Sequence, residues 1–301
     1  MDAEATAKAV ELVRAWPASR RRAGNLGLLR AAPLFDIELA SACNVVCTFC
    51  PRDDMERPKT VMDAATFDSV EAFLPPGAIA MLSGLGDSLL HPQLDALVAR
   101  LHGRGVSTCI ITNGVRLVPA RQDTLIAAGI AEIQVSVHGL DDATVRSVVP
   151  VGANPARVRA NLEHLAGRPG PRVRINFVET PENAHAREDV RRWAEGLGFR
   201  FFYRRLHTRG GSLGEPRDDA GCSGCGIFGS VTFITVEGDV MPCVNDVRGE
   251  GRLGNVRAVT WTDVLAWKKA VIKEDRWFAP CAGCDDDYRW VLLAQGGLDG
   301  P

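Results

Sequence analysis

Leu34-Phe35-Asp36-Ile37-Glu38-Leu39 leads, after three small residues, into Cys43-Asn44-Val45-Val46-Cys47-Thr48-Phe49-Cys50, and these two stretches decide how the chain folds. The first reads as a β-strand, short and largely apolar. Outward from it the same kind of run recurs at 79–82, 106–111, 133–137, 173–178 and 201–203. Helical patterns near 63–74, 93–103, 118–128, 142–149, 155–166 and 184–196 separate these runs, with Asp63, Pro92 and Pro155 punctuating three of the starts. Six strand–helix units in succession predict a parallel sheet, because each strand needs a crossover helix to return in the same direction. The expected fold class is α/β, an open or partial (β/α)6 barrel over 34–206. Its functional groups belong at the C-terminal ends of the strands, and the three cysteines follow the first of those ends.

Three thiolates on one short loop can hold three corners of a four-iron cluster, and the lack of a fourth nearby cysteine leaves one iron open to an exogenous ligand. A zinc site or a group of buried thiols is the alternative. Zinc, however, takes a fourth nearby ligand and usually shows C-x2-C or C-x4-C spacing in pairs. The chain has nine cysteines, the others being Cys109 inside an apolar run and Cys222, Cys225, Cys243, Cys281 and Cys284. The first residues are acidic and amphipathic where an export signal would be basic and then apolar, and no apolar run approaches the roughly 18 residues of a membrane span. A cytoplasmic protein with reduced thiols is expected, with metals rather than disulfides behind the grouping. With 301 residues, 46% hydrophobic and 24% charged, the chain suffices for one large α/β domain and a small appendage. A net charge of -2 carries no global sign of nucleic-acid or membrane partners.

After residue 206 the rhythm changes. The Gly-rich stretch 207–214 and the polar stretch 215–221 act as a connector. Residues 231–236, the turn Glu237-Gly238-Asp239 and residues 240–243 read as a β-hairpin. An amphipathic helix over 261–273 then delivers the chain to Cys281-Ala282-Gly283-Cys284. The expected divisions are a helical extension over 1–33, the barrel over 34–206 and a small hairpin-plus-helix unit over 207–301. Cys109 is expected to be a small buried hydrophobe.

The C-x3-C-x2-C loop, with Phe49 before its last cysteine, resembles the hallmark of the radical S-adenosylmethionine (SAM) superfamily. Further segments carry the resemblance in order. Ser83-Gly84-Leu85-Gly86-Asp87-Ser88-Leu89-Leu90-His91-Pro92 is similar to the family's G-G-E-P segment, with Asp87 and Ser88 where Glu and Pro are commoner. Ile111-Thr112-Asn113-Gly114 and Gln134-Val135-Ser136-Val137-His138-Gly139 are similar to segments that line the SAM pocket. Taken singly, each is also ordinary strand-end turn chemistry. The resemblance implies that Cys43, Cys47 and Cys50 hold a [4Fe–4S] cluster whose open iron is chelated by SAM. It implies that Phe49, Gly86, Asp87, Ser88, Thr112, Asn113 and Ser136 surround SAM, while Arg209 reaches the SAM carboxylate or a substrate group. Reductive cleavage of SAM would yield a 5′-deoxyadenosyl radical that takes hydrogen from an unactivated carbon, with a flavodoxin- or ferredoxin-type protein as electron donor.

Gly251-Arg252-Leu253-Gly254-Asn255-Val256 resembles the L-G-N-V segment of the family's SPASM and Twitch extensions. That resemblance implies a second, fully ligated [4Fe–4S] cluster on Cys225, Cys243, Cys281 and Cys284 in the short Twitch form. A zinc ribbon on the pairs Cys222/Cys225 and Cys281/Cys284 is the alternative, and it leaves Cys243 unexplained. Cys222 is then a bystander, a substitute for Cys225, or a thiol that returns a hydrogen atom to a substrate radical. The resemblance extends to members that modify aminoglycosides and aminocyclitols for antibiotic biosynthesis, an epimerase and a dehydrogenase. The spare Cys222 favours epimerisation of a carbinol carbon, with oxidation through the auxiliary cluster as the alternative and radical modification of a ribosomal peptide as another. For a polycationic sugar substrate, Glu179 at the end of the fifth strand is the candidate carboxylate, with Asp285, Asp286 and Asp287 as others. Arg20-Arg21-Arg22 reads as an exposed face or an electron-donor docking surface.

Overall fold

Strand β1 (Leu34–Ile37) turns Phe35 and Ile37 into the apolar core, while Asp36 accepts a hydrogen bond from Ser83 Oγ. Phe35 meets Phe73 and Trp261 edge-on, at 6.0 and 5.0 Å between ring centroids. The computed structural model describes residues 3–31, 33–218, 220–221 and 223–296. Ahead of β1 lie α1 (Ala3–Arg14) and α2 (Ala18–Leu28). The repeating part then runs α3 (Ala64–Phe73), β2 (Ile79–Leu82), α4 (Leu94–Gly103), β3 (Ser107–Thr112), α5 (Pro119–Ala127) and β4 (Glu132–Ser136). It continues through α6 (Asp142–Val148), α7 (Pro155–Leu165), β5 (Arg172–Glu179), α8 (Arg187–Gly196) and β6 (Arg200–Arg205). Local chemistry sets several helix starts. Asp63 accepts from Thr66 N at 2.7 Å and Asp141 from Thr144 N at 2.8 Å, while Asn154 accepts from Arg157 N at 3.0 Å ahead of Pro155. Each such cap contributes about 1 kcal/mol.

Strands β1 to β6 pair in chain order, every pair parallel. The sheet stays unclosed, as a partial barrel does, and the α/β expectation holds. Beyond residue 206 the chain adds α9 (Gly226–Ser230), β7 (Val231–Ile234), β8 (Asp239–Met241), β9 (Gly254–Asn255), α10 (Trp261–Glu274), α11 (Ala279–Ala282) and α12 (Tyr288–Gly296). The expected hairpin is β7–β8, and it does not stand apart. β7 lies parallel to β1 along its whole length, from Leu34 opposite Val231 to Ile37 opposite Ile234, giving a nine-stranded sheet among the described residues. An edge strand as apolar as β1 needs such cover, since its free N–H and C=O groups would otherwise face solvent.

The two chain ends share a second core. Val10, Val13 and Trp16 of α1 pack against Trp290, Val291 and Leu293 of α12. In α2, Asn25 accepts from Cys225 N at 2.9 Å and donates to Cys225 O at 2.5 Å. The arginine run is less open than its sequence implies: Arg20 stacks on Trp16, Arg21 donates to Ser223 O at 2.9 Å, and Arg22 faces Asp275 at 3.8 Å. Among the described residues no helix is long and apolar enough to cross a membrane.

Candidate active site and cluster cavities

One cavity opens at the C-terminal ends of the strands. The loop after β1 brings Cys43, Cys47, Phe49 and Cys50 to its wall; the loop after β2 adds Gly86 and Asp87. The ends of β3 and β4 add Thr112, Asn113 and Ser136, and the turn after β6 adds Arg209. Gly86 is there because nothing larger fits, as a Cβ would stand 2.3 Å from the carbonyl oxygens of both Ala40 and Ala42. That close approach presses the β2 loop onto the cysteine loop, and Asp87 N donates to Ala42 O at 2.9 Å.

Asp87 has a structural task. Its buried carboxylate accepts from Leu89 N at 2.9 Å, Asn113 N at 2.9 Å and Thr112 Oγ1 at 2.8 Å, tying the ends of β2 and β3 together. Burial raises its pKa in spite of these donors. Asn113 in turn donates to Asn44 Oδ1 at 3.0 Å and points its amide at Cys43 Sγ, 3.8 Å away. Ser88 is a correction: its hydroxyl is donated to Leu82 O at 2.8 Å, and it is not among the residues lining the cavity. Glu179 is another. Arg187 donates to its carboxylate at 2.8 Å and Tyr203 at 3.0 Å, so it is spent on neighbours and does not line the cavity. His138, in the strand-end segment 134–139 but given no role of its own, lines the wall as well. Its ring sits edge-on to Phe49 at 4.9 Å, and burial pulls its pKa down to about 4, so it is neutral at ordinary pH.

The second cavity is lined by Cys225, Cys243, Cys281 and Cys284 with Phe228, Pro242, Phe278 and Pro280. Burial and the neighbouring thiols push Cys243 far above the ordinary thiol range. Burial pushes Cys284 to about 12, as burial and its own two partners do to Cys47 in the first set. Thiols in such places stay protonated until a metal draws the protons off. Among the described residues no three His, Cys, Asp or Glu side chains close upon a single-ion site. Four thiols on one cavity can give each iron of a cube its own thiolate, whereas zinc gathers its thiolates to about 2.3 Å from one centre. Cys222 lies outside the described residues, although Gly221 N donates to Cys284 O at 3.0 Å. Cys109 is buried in β3 as expected, with Gln134 Nε2 at 3.1 Å from its sulfur.

Arg209 lies between the two cavities. It lines the first, donates to Asn245 Oδ1 at 3.1 Å, and Asn245 lines the second. Its guanidinium feels Cys50 from one set and Cys243 from the other. Asp285, Asp286 and Asp287 are a correction to the reading of free acids at a barrel mouth, because all three are buried. Thr208 N donates to Asp285 at 2.8 Å, Arg204 and Asn245 hold Asp286, and Arg205 grips Asp287 with two bonds of 2.9 Å. Burial alone would raise the Asp286 carboxyl; the charge of Arg204 more than offsets this and keeps it ionised well below the usual range. The aspartates thus clamp the segment after Cys284 to β6. A further buried pair, Glu38 with Arg57 at 2.9 and 2.8 Å, joins the end of β1 to the β2 loop through Leu85 N at 3.0 Å.

Three thiols line the first cavity and four line the second, two sets of the size that iron–sulfur centres use. The radical SAM superfamily profile matches residues 37–194, and a SPASM-type iron-sulfur cluster-binding domain matches 225–285. The chain belongs to the radical SAM superfamily, and as such it uses SAM and [4Fe–4S] clusters, an auxiliary cluster included. It is 29% identical over 145 residues to the GTP 3′,8-cyclase of Chlorobaculum tepidum, covering 47% of this chain and 43% of that protein. To a PqqA peptide cyclase of Ruegeria pomeroyi it is 32% identical over 107 residues, 34% of this chain and 28% of that one. The matches thus span less than half the length of these curated relatives. The fold is shared with BtrN in complex with AdoMet and 2-DOIA, at a TM-score of 0.61 and 20% identity over 85% of this chain and 94% of that one. It is shared also with Streptococcus suis SuiB bound to S-adenosylmethionine, at 0.65 and 15% over 87% and 72%.

Proposed function

We propose that this radical SAM enzyme oxidises a carbinol carbon of a small aminocyclitol- or aminoglycoside-type substrate to a ketone. The observation that carries this reading is Arg209, a single side chain that borders the first cavity and contacts the wall of the second. Arg209 and Asn245 thus link the walls of the two cavities by one hydrogen bond. Cys43, Cys47 and Cys50 would hold the cluster that binds SAM, and Cys225, Cys243, Cys281 and Cys284 the auxiliary one. When bound, these groups supply a hydrogen-abstracting 5′-deoxyadenosyl radical on one side and a one-electron sink on the other.

The balance is simple. The carbinol carbon gives up a hydrogen atom, then one electron, and its hydroxyl proton leaves to water. The chain's own residues position the parts: Asp87, Thr112 and Asn113 tie together the strand ends that wall the first cavity, and the neutral His138 backs Phe49 without adding charge. Arg209 borders the cavity as a cation suited to the SAM carboxylate, and its hydrogen bond to Asn245 holds it there. The likeness to BtrN, crystallised with AdoMet and 2-DOIA and matched over 94% of its chain, supports a small substrate. A flavodoxin- or ferredoxin-type protein in the cytoplasm supplies the electron that starts each cycle.

Inversion with Cys222 as hydrogen donor is the second reading, favoured by the hydrogen bond from Gly221 N to the carbonyl of the auxiliary cysteine Cys284. Turnover of the anaerobically reconstituted enzyme in deuterium oxide, with a panel of aminocyclitols and aminoglycosides, separates the two. A ketone free of carbon-bound solvent deuterium supports oxidation; deuterium at an inverted carbon overturns it. A precursor peptide belongs in the same panel, given the peptide cyclases among the relatives.

A further inference from the structure

Lys268 on α10 is only 1% exposed, and no carboxylate among the described residues forms an ion pair with it. Its Nζ donates to Phe228 O at 2.9 Å and Val231 O at 2.7 Å, and stands 5.3 Å from the Phe228 ring centroid. Two neutral carbonyls and a ring face do not balance a full charge removed from water. A buried lysine so placed either gives up its proton or has an anion nearby.

The anion is indicated by the same residue that holds the ammonium. Phe228 N donates to Cys225 Sγ at 3.4 Å, so one residue bridges Lys268 and a presumed cluster ligand. Burial pulls the Lys268 ammonium down to about 7, and the groups that favour its charged form are Cys225 and Cys243. At Cys284 the charge of Asp286 raises the thiol and opposes that of Arg289. Lys268 has no such opponent.

We propose that Lys268 is the buried counter-cation of the auxiliary cluster and raises its reduction potential, which suits that cluster to accept the substrate's electron. The inference rests on the reading that Cys225, Cys243, Cys281 and Cys284 hold this cluster. One added electron makes the cluster more negative, so a fixed positive charge beside it stabilises the reduced form more than the oxidised one. Because it acts on the cluster and not on substrate, Lys268 is a positioning and tuning residue.

The test is an EPR-monitored redox titration of the full-length, two-cluster enzyme carrying Lys268→Gln, Lys268→Met or Lys268→Arg, with SAM added to mark the open-iron cluster. Gln retains donors for the two carbonyls but no charge, and Arg retains the charge. The Gln and Met variants are expected to disfavour reduction of the auxiliary cluster at least tenfold, a fall of about 59 mV for one electron. The Arg variant should stay near wild type, and the cluster that responds to SAM should not move. An unshifted potential in Lys268→Gln overturns the proposal, as does an equal fall in Lys268→Arg, which would make the role purely structural. Iron content separates this failure from that of the underlying reading: if wild-type protein binds only about four irons, the auxiliary site itself is refuted.

Discussion

The two cysteine sets are assembled in opposite ways. Cys43, Cys47 and Cys50 come from a single loop of eight residues, beneath an opening walled by strand ends and closely packed glycine backbone. Cys225, Cys243, Cys281 and Cys284 are gathered from separate places: the start of α9, the chain just past β8, and α11 with the turn beyond it. The first cavity presents hydroxyl, amide and guanidinium groups among its valines, whereas the second, Asn245 and Asp246 apart, is walled mainly by phenylalanine, isoleucine and proline. A centre that must admit a ligand keeps polar access; one that only stores an electron is better dry and fully ligated.

The sharpest way to break this contrast is to remove a thiol from each set. Cys47→Ala should abolish 5′-deoxyadenosine formation and remove about half of the iron; SAM cleavage surviving this change would refute the assignment. Cys243→Ala should also remove about half of the iron, yet leave SAM cleavage within several-fold of wild type while ketone formation disappears. Parallel loss of both activities would mean that the second set supports the first cavity instead of accepting its electron.

A smaller effect probes the clamp between the regions. Asp286→Ala strips the half-buried Arg204 of its counter-ion and should cost about 1.5 to 3 kcal/mol in chemical denaturation. A loss under about 1 kcal/mol would show that the aspartates do not hold the segment to β6.

The smallest effect concerns His138, whose folded pKa of about 4 lies below the ordinary imidazole value of 6.5. Between those values the unfolded chain binds the extra proton, so stability rises with pH. The contribution is complete above the unfolded value and is lost as pH falls through about 4, amounting to about 3 kcal/mol at most. His138→Asn should flatten the stability profile between about pH 6.5 and 4. Equal slopes for variant and wild type would remove His138 from the acid sensitivity of the first cavity.

Much of the barrel was legible because its signals are local. The strand expected at 106–111 is Ser107–Thr112, and Asp63 and Pro155 stand where they were expected to open helices. The cysteine loop was legible for the same reason, and Gly86, Thr112, Asn113, Ser136 and Arg209 do meet around it. Residues whose partners are set by packing and not by a local pattern were not, even across short separations such as Ser88 to Leu82 and Glu179 to Arg187. Glu179, Ser88 and the three aspartates after Cys284 looked available because Arg187, Leu82 O, Arg204 and Arg205 could not be placed beside them. Buried charge pairs such as Glu38 with Arg57 are equally silent, since neither residue differs in type from a surface one. The α12 helix was overlooked although it forms half of the second core.

The chain by itself determined an α/β barrel and a three-thiol loop after its first strand, because hydrophobic period and cysteine spacing act over a few residues. Tertiary structure decided the rest. It laid β7 along β1, brought four scattered cysteines around one cavity, put Arg209 between the two sets, and turned apparently free acids into a buried clamp. Those outcomes depend on contacts between segments up to some hundreds of residues apart, which burial and charge pairing select only once the whole sheet exists.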